Sequence, residues 1–481
     1  MGEEGLGNGL TRFAVNIKTR DHLRRAGTGH SHANGNANGY VAERNMDDEE
    51  SPLLGPRHVA SRLSVHPDSG FWRHLLLNPH SSPGTDSPNP FIRWPAHVWN
   101  VTKVTLFSSW INLLLVFVPL GIVAGQREWG AAWVFSLNFV AIIPLAAVLS
   151  FATEEIAHRL GETLGGLVNA TFGNAVELIV SIVALLAGEI EVVQASMLGS
   201  ILSNLLLVMG MCFLLGGVYN MRDAQGNGTE QSFSQGTAQT TCSLMALSSA
   251  SLILPAALYN VLNQAAEDHK QASILVLSRG TSIILLFLYC LYLYFALRTH
   301  KKLFEPEAQS GGGEGDEHEP VLGPWSAALV LVVTTLVISV CADYMVDSID
   351  ALVATGKISK TFIGLILIPI VGNAAEHVTA CVVAVKNKMD LAMGVAIGSS
   401  IQIALLVTPA LVMLGWAIGQ PMTLNFGSLE TIAFALSVFV VIYTVQDGKS
   451  NYLEGAMLLG LYVIIALAFW ASPADSLGGK P

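Results

Sequence analysis

Two short stretches of this sequence place carboxylates where carboxylates are costly. Gly173-Asn174-Ala175-Val176-Glu177 recurs as Gly372-Asn373-Ala374-Ala375-Glu376, an offset of 199 residues, and Gly199-Ser200 recurs as Gly398-Ser399 at the same offset without a gap. Both glutamates sit in apolar runs; Leu178 to Leu186 follows the first with Ser181 as its one polar residue. A carboxylate at the centre of a membrane helix costs about 2.5–3.5 kcal/mol, so a symmetric pair needs a compensating role. An Asn three residues before each Glu adds an amide oxygen to the same helix face. Gly165, Gly166, Gly173 and Gly372, with Pro369 just ahead of the last, favour local unwinding that turns backbone carbonyls toward the site. Glu177, Glu376, Asn174, Asn373, the Gly173 and Gly372 carbonyls and some water supply the roughly six to eight oxygens that Ca²⁺ prefers, whereas Mg²⁺ demands a tighter octahedron. No thiol recurs at a matching position in both stretches, which disfavours soft metals. A hard divalent cation fits best. The bland alternative is a pair of protonated carboxyls bonding neighbouring helices.

The elements that must position these groups are membrane spans. The chain has 481 residues, 52% hydrophobic and 13% charged, with a mean hydropathy of +0.51. Soluble domains carry about 25% charged residues, so an ordinary soluble enzyme is excluded, as is disorder over most of the chain. The net charge of −11 argues against nucleic acid as a partner. Apolar runs near 104–124, 130–152, 163–187, 194–218, 240–262, 273–297, 322–346, 361–385, 391–415, 427–445 and 453–471 are each long enough to cross the hydrocarbon core. The expected fold is thus an all-α polytopic membrane protein of eleven transmembrane helices. Trp129, Trp133, Trp325, Trp416 and Trp470 fall at run ends, as an aromatic belt would. Cys212, Cys242, Cys290, Cys341 and Cys381 form no CxxC pair and read as packing residues.

Residues 1–98 read as a disordered cytosolic tail, rich in Gly, Asn, Ser, Pro and His, with no cleavable signal. Its histidines (His22, His30, His32, His58, His66, His74, His80 and His97) lack the regular spacing of a metal site. An extra first helix (99–127) precedes a five-helix repeat (128–297), a cytosolic acidic linker (298–320), a second five-helix repeat (321–472) and a lumenal C-terminus (473–481). Five is odd, so the two repeats cross the membrane in opposite directions; inverted repeats of this kind bind their cargo near the midplane where they meet. With a cytosolic N-terminus, the cytosolic loops hold only a slight excess of Lys and Arg. Within the linker, Glu314, Asp316, Glu317 and Glu319 form a candidate regulatory or cation-gathering segment; a solvated spacer is the plainer reading.

Ala152-Thr153-Glu154-Glu155-Ile156-Ala157, Asn169 through Glu177, Leu198 through Asn204, Gly372 through His377 and Gly398 through Gln402 together resemble the motifs of the H⁺/Ca²⁺ exchangers of the CAX family, in the Ca²⁺/cation antiporter superfamily. The resemblance covers roughly residues 100–471 and is nearest the fungal vacuolar calcium transporter type. It implies one helix plus two repeats of five, a cytosolic N-terminus, and Ca²⁺ held by Glu177 and Glu376. Two positions depart from the family's pattern: Val176 stands where many members have Thr, and Asp343 where Glu is expected.

The implied function is antiport of cytosolic Ca²⁺ against H⁺ by alternating access, into an acidic vacuole, with no cofactor and no enzymatic step. Glu154, Asp343, His377, Ser200, Ser399 and Gln402 are candidates for proton coupling or for support of the ligands. A Na⁺/Ca²⁺ exchanger, a Mn²⁺/H⁺ exchanger or a passive Ca²⁺ channel are the alternatives. Sodium-coupled relatives carry extra acidic or amide groups in the spans after each glutamate. Here those spans (194–218 and 391–415) hold Ser200, Ser203, Asn204, Ser399, Ser400 and Gln402 but no Asp or Glu. A hydrolase is disfavoured because no HExxH occurs, and the adjacent Glu376 and His377 diverge by about 100° on a helix.

Overall fold

The computed structural model describes residues 85, 87–223, 225–262, 267–301, 320–355 and 358–472. Residues 1–84, the acidic residues Glu314, Asp316, Glu317 and Glu319, and residues 473–481 lie outside the described residues.

Helix α1 (Pro90–Phe107) begins inside the stretch read from sequence as tail, so residues 90–98 are helical. The cause is local: the Asn89 side chain accepts a hydrogen bond from the Phe91 N–H at 3.1 Å, and Pro90 occupies the first helical position. A 110° bend at Ser108–Ser109 then separates α1 from a 3₁₀ turn (Trp110–Val116) and α2 (Phe117–Gln126). The apolar run at 104–124 is therefore not one straight rod.

Next comes α3 (Ala131–Phe172), about 63 Å of helix at 1.5 Å per residue, interrupted at Gly161. Its φ of 75° lies in the left-handed region that glycine adopts without a Cβ penalty. After a break at Gly173–Asn174 the chain forms α4 (Ala175–Leu186). α5 (Ile190–Leu202) passes through a π turn (Ser203–Val208) into α6 (Met209–Tyr219), and α7 (Gln235–Val261) and α8 (Glu267–Tyr294) follow.

The second half repeats this succession. α9 (Pro324–Asp347) leads through a short turn and a π segment (Ile363–Leu367) to α10 (Ile368–Gly372), a break at Asn373, and α11 (Ala374–Val385). α12 (Met389–Gln402) again passes through a π turn (Ile403–Val407) into α13 (Thr408–Ile418), before α14 (Ser428–Thr444) and α15 (Tyr452–Ala471). α4 and α11 start 199 residues apart and are 12 residues long each. The π turns recur at nearly the same offset.

Among the described residues, seven helices are long and apolar enough to cross a membrane, or nine if each of two bent pairs counts as one span. α4 and α14 are shorter apolar helices. One two-residue antiparallel pairing, Gln231–Ser232 with Lys449–Ser450, interrupts the all-α expectation and joins two loops at one end of the bundle. All five cysteines are free, with Cys212, Cys242 and Cys341 buried.

Close backbone approach decides how the halves pack. A Cβ on Gly199 in α5 would collide with the Leu365 carbonyl of the second half, so only glycine lets the helix lie against that π segment. At one end of the bundle, Lys360 bridges Glu189 at 2.9 Å and Asp350 at 2.5 Å. The Thr361 hydroxyl donates to Glu191 at 3.0 Å beside it. At another, Glu155 on α3 accepts from the N–H groups of Val321 and Leu322 at 3.2 and 2.8 Å, while Arg159 donates to the Pro320 and Leu322 carbonyls. That clamp holds the segment entering α9 against α3.

Candidate cation site at the paired helix breaks

Both Gly-Asn sequences end one helix and start another. Asn174 (φ −104°, ψ 29°) and Asn373 (φ −89°, ψ 4°) leave helical geometry, and their carbonyls accept the first bonds of α4 and α11 from Leu178 and His377 at 3.1 and 2.9 Å. Glu177 and Glu376 therefore fall in the first turns of two half-helices. The positive ends of those helix dipoles favour anionic groups there.

The two breaks meet. A Cβ built on Gly372 would lie 2.9 Å from Glu177 Oε1, so the carboxylate from the first half rests against the glycine of the second. Glu177 is also within Coulombic reach of Glu376. Glu177 is buried and lines a small cavity with Val176, Val180, Met345, Ile368 and Gly372. Val176, the departure from the family's Thr, thus forms part of its apolar wall. Glu376 is half-buried, and its Oε2 has no hydrogen-bond partner.

A chain of side-chain hydrogen bonds ties the halves across this point. Asn204 Nδ2 donates to Ser399 Oγ at 2.9 Å, Ser399 Oγ donates to Asn174 Oδ1 at 2.7 Å, and Asn174 Nδ2 donates to Gln402 Oε1 at 2.5 Å. Ser399 also lies beside the Glu376 carboxylate. Asn373 is different: it is fully buried, yet both Oδ1 and Nδ2 are unpartnered. An unmade hydrogen bond on a buried polar group costs about 1–3 kcal/mol, a cost that a ligand at this point would relieve. His377 sits 3.3 Å from Ser203 Oγ through its Nε2, and Ser200 is buried on α5.

The structure thus brings together Glu177, Glu376, Asn174, Asn373, Gly173, Gly372, Ser399 and Gln402, with His377 on the helix of Glu376 and Ser200 on α5. It does not bring in two of the expected residues. Glu154 lies exposed on α3, and the neighbouring Glu155 is the buried carboxylate, engaged in the clamp described above. Asp343 lies exposed on α9, near Asp347. The first turns of α5 and α12 do carry acids, Glu191 and Asp390, beyond the spans drawn from sequence. They serve the bundle ends: Glu191 accepts from Thr361, and Asp390 accepts from the Ser234 N–H at 2.6 Å.

Sequence reasoning passed over Asn204 and Ser181 as site residues. Ser181 is buried one turn beyond Glu177 with its hydroxyl unpartnered. Each is a polar residue in an otherwise apolar run, and that was the available signal. No cluster of three or more His, Cys, Asp or Glu side chains occurs among the described residues. A cation here would be held by two carboxylates and neutral oxygens, a donor set suited to hard divalent ions.

Gly372 offers a direct check of this geometry. Gly372→Ala is expected to displace the flexible Glu177 carboxylate rather than the backbone, weakening cation affinity by about tenfold, or 1.4 kcal/mol, with thermal stability little changed. Cation titration of the purified variant tests it; unchanged affinity would mean that Glu177 is not a ligand from this position.

The comparisons with known proteins agree with one another. The family described as sodium/calcium exchanger protein matches residues 130–298 and 326–471. A vacuolar calcium ion transporter of Schizosaccharomyces pombe is 50% identical over 378 residues, 78% of this chain and 88% of that protein. Vacuolar cation/proton exchanger 1a of Oryza sativa subsp. japonica is 43% identical over 383 residues, 78% and 82% of the two chains. A solved structure of the Ca²⁺/H⁺ antiporter protein YfkE is 35% identical with a TM-score of 0.62, covering 75% of this chain and 98% of that one.

Proposed function

The chain belongs to the sodium/calcium exchanger protein family, and from that premise we propose that it is a Ca²⁺/H⁺ antiporter whose cargo site lies between Glu177 and Glu376. The observation that carries this reading is the meeting of the two helix breaks, with the Glu177 carboxylate seated on Gly372. Discontinuous helices crossing near a midplane site are how secondary transporters present dipole ends and polar groups to an ion.

In this reading Glu177 and Glu376 supply the charge, and Asn373 supplies the amide oxygen that has no other partner. Asn174, held by Ser399 and Gln402, braces the two halves. The Gly173 and Gly372 carbonyls and water complete the shell. The chain crosses the membrane eleven times, as one helix and two inverted five-helix repeats, with α4 and α14 as half or short spans. Its N-terminus is cytosolic and its C-terminus lumenal. Rocking of one repeat against the other exposes the site alternately, carrying Ca²⁺ from the cytosol into an acidic vacuole. Protons rather than Na⁺ are the counter-ion because the helices lining the site add only Ser, Asn and Gln near it. The names of the fungal and plant relatives support the vacuolar assignment.

The test is Ca²⁺ uptake into vesicles reconstituted with the full chain. Accumulation against a gradient is expected when the lumen is acid, and none when no counter-ion gradient exists. Free downhill Ca²⁺ flux under the second condition would make the protein a channel instead.

The acidic residues Glu314, Asp316, Glu317 and Glu319 are proposed to gather cations or regulate access by their concentrated negative charge. Neutralising Glu314, Asp316, Glu317 and Glu319 together is expected to raise the Ca²⁺ concentration for half-maximal uptake and to reduce its salt dependence. An unchanged titration leaves the segment a spacer.

A further inference from the structure

Away from the cation site, a cleft of about 470 Å³ lies between α1 and α9, with Val148 of α3 also in its lining. Its lining runs from Trp94 to Leu106 on α1, about 18 Å at 1.5 Å per residue, and from Trp325 to Thr334 on α9. Half of a hydrocarbon core of about 30 Å is about 15 Å, so the cleft has the depth of one leaflet. The 110° bend that ends α1 follows Leu106, the last α1 residue in the lining. Trp94 and Trp325, 71% and 88% exposed, stand at its outer end, where interfacial tryptophans sit. The walls carry Val101, Val148, Val330 and Thr334, side chains branched at Cβ and stiff at χ1.

The chemistry of the lining selects an occupant. None of the lining residues is Lys, Arg, Asp or Glu, so nothing there matches a phosphate or a zwitterionic headgroup. The polar point at the outer end is His97 Nε2 with Ser326 Oγ, 3.1 Å apart and exposed. That pair can give one hydrogen bond to, and accept one from, a single hydroxyl. We propose that the cleft binds a sterol-class lipid, a rigid apolar body with one alcohol, with its hydroxyl at His97 and Ser326 and its rings between the valine walls. The site is separate from the cation site and does not depend on the identity of the transported ion.

The experiment uses the full chain in phosphatidylcholine vesicles containing a photoreactive sterol bearing a diazirine. Label is expected on peptides spanning 94–106 and 325–334, competed by excess unlabelled sterol but not by added phosphatidylcholine. Val330→Trp, which fills the slot, should cut labelling at least tenfold. His97→Ala with Ser326→Ala should cut it several-fold while cation uptake in sterol-free vesicles persists. Equal competition by phosphatidylcholine, label spread evenly over the lipid-facing helices, or no effect of Val330→Trp would each overturn the proposal. A photoreactive amino acid placed at 330 supplies an independent readout. Crosslinks from it to sterol support the site; crosslinks to residues 1–84 or to a second copy of the chain give the cleft to a protein segment and also overturn it.

Discussion

Glu177→Gln and Glu376→Gln are each expected to abolish Ca²⁺/H⁺ exchange while leaving the protein folded. Glutamine keeps the size and a hydrogen-bonding oxygen but removes a full charge. At about 4 Å and an effective dielectric constant of about 20, one unit charge pair is worth about 4 kcal/mol, and the divalent cation doubles the loss. Even half of 4 kcal/mol lowers affinity more than tenfold, so transport at micromolar Ca²⁺ should vanish. Stability moves the other way or not at all. Glu376 Oε2 has no partner to lose, and Glu177 rests on Gly372 without an ion pair among the described contacts. Vesicle uptake alongside a thermal melt separates the effects. Near wild-type transport by either variant would remove that residue from the site, whereas loss of folding in both would reassign the pair to structure. Asn373→Ala should weaken affinity with less effect, since it removes one neutral oxygen. Asn174→Ala should additionally loosen the contact between the two halves of the chain, because Ser399 and Gln402 both lose their partner.

The helix breaks were legible because the residues that cause them are local. Gly173-Asn174 and Gly372-Asn373, the latter preceded by Pro369, are poor helix formers wherever they occur in a chain. The start of α1 was equally local, since Asn89 and Pro90 are an N-cap and first-turn signal, but it was hidden by the polar composition around it. The 110° bend at Ser108–Ser109 was not legible from an apolar run that continues through it. Glu154 and Glu155 show another limit. Neighbours on a helix point about 100° apart, and composition does not say which of two adjacent acids faces inward; the buried one is Glu155. The asymmetry between the two asparagines lies in the offset itself. Residue 402 is Gln and its counterpart 203 is Ser, so Asn174 meets a long amide that reaches it, while Ser203 instead stands 3.3 Å from His377 and Asn373 is left unpartnered. A pattern that is symmetric in its motif residues thus builds a site that is asymmetric in its hydrogen bonds.

Collapsing the pH gradient with a protonophore, at a membrane potential clamped by K⁺ and valinomycin, is expected to end uphill Ca²⁺ uptake. In the proposed site, protons and Ca²⁺ share the same ligands. Two carboxylates near the paired breaks carry a charge of −2 when ionised, and either one Ca²⁺ or two protons neutralise it. A charged site is costly to carry through an apolar bundle, so in the proposed alternating-access cycle the neutral forms are the ones that reorient. Ca²⁺ leaving on the acid side is then replaced by protons, and protons leaving on the other side make room for Ca²⁺. Each pH unit supplies about 1.4 kcal/mol per proton. Two protons moving down two units therefore supply about 5.6 kcal/mol, close to the roughly 5.5 kcal/mol that corresponds to a 10⁴-fold ratio. In the proposed mechanism His377, whose Nε2 lies 3.3 Å from Ser203 Oγ, is a candidate for proton coupling rather than a ligand. His377→Gln should slow exchange without abolishing Ca²⁺ binding. Uphill uptake that survives the protonophore, or that appears only when Na⁺ is supplied, would sink proton coupling and make the chain a sodium-driven member of its family.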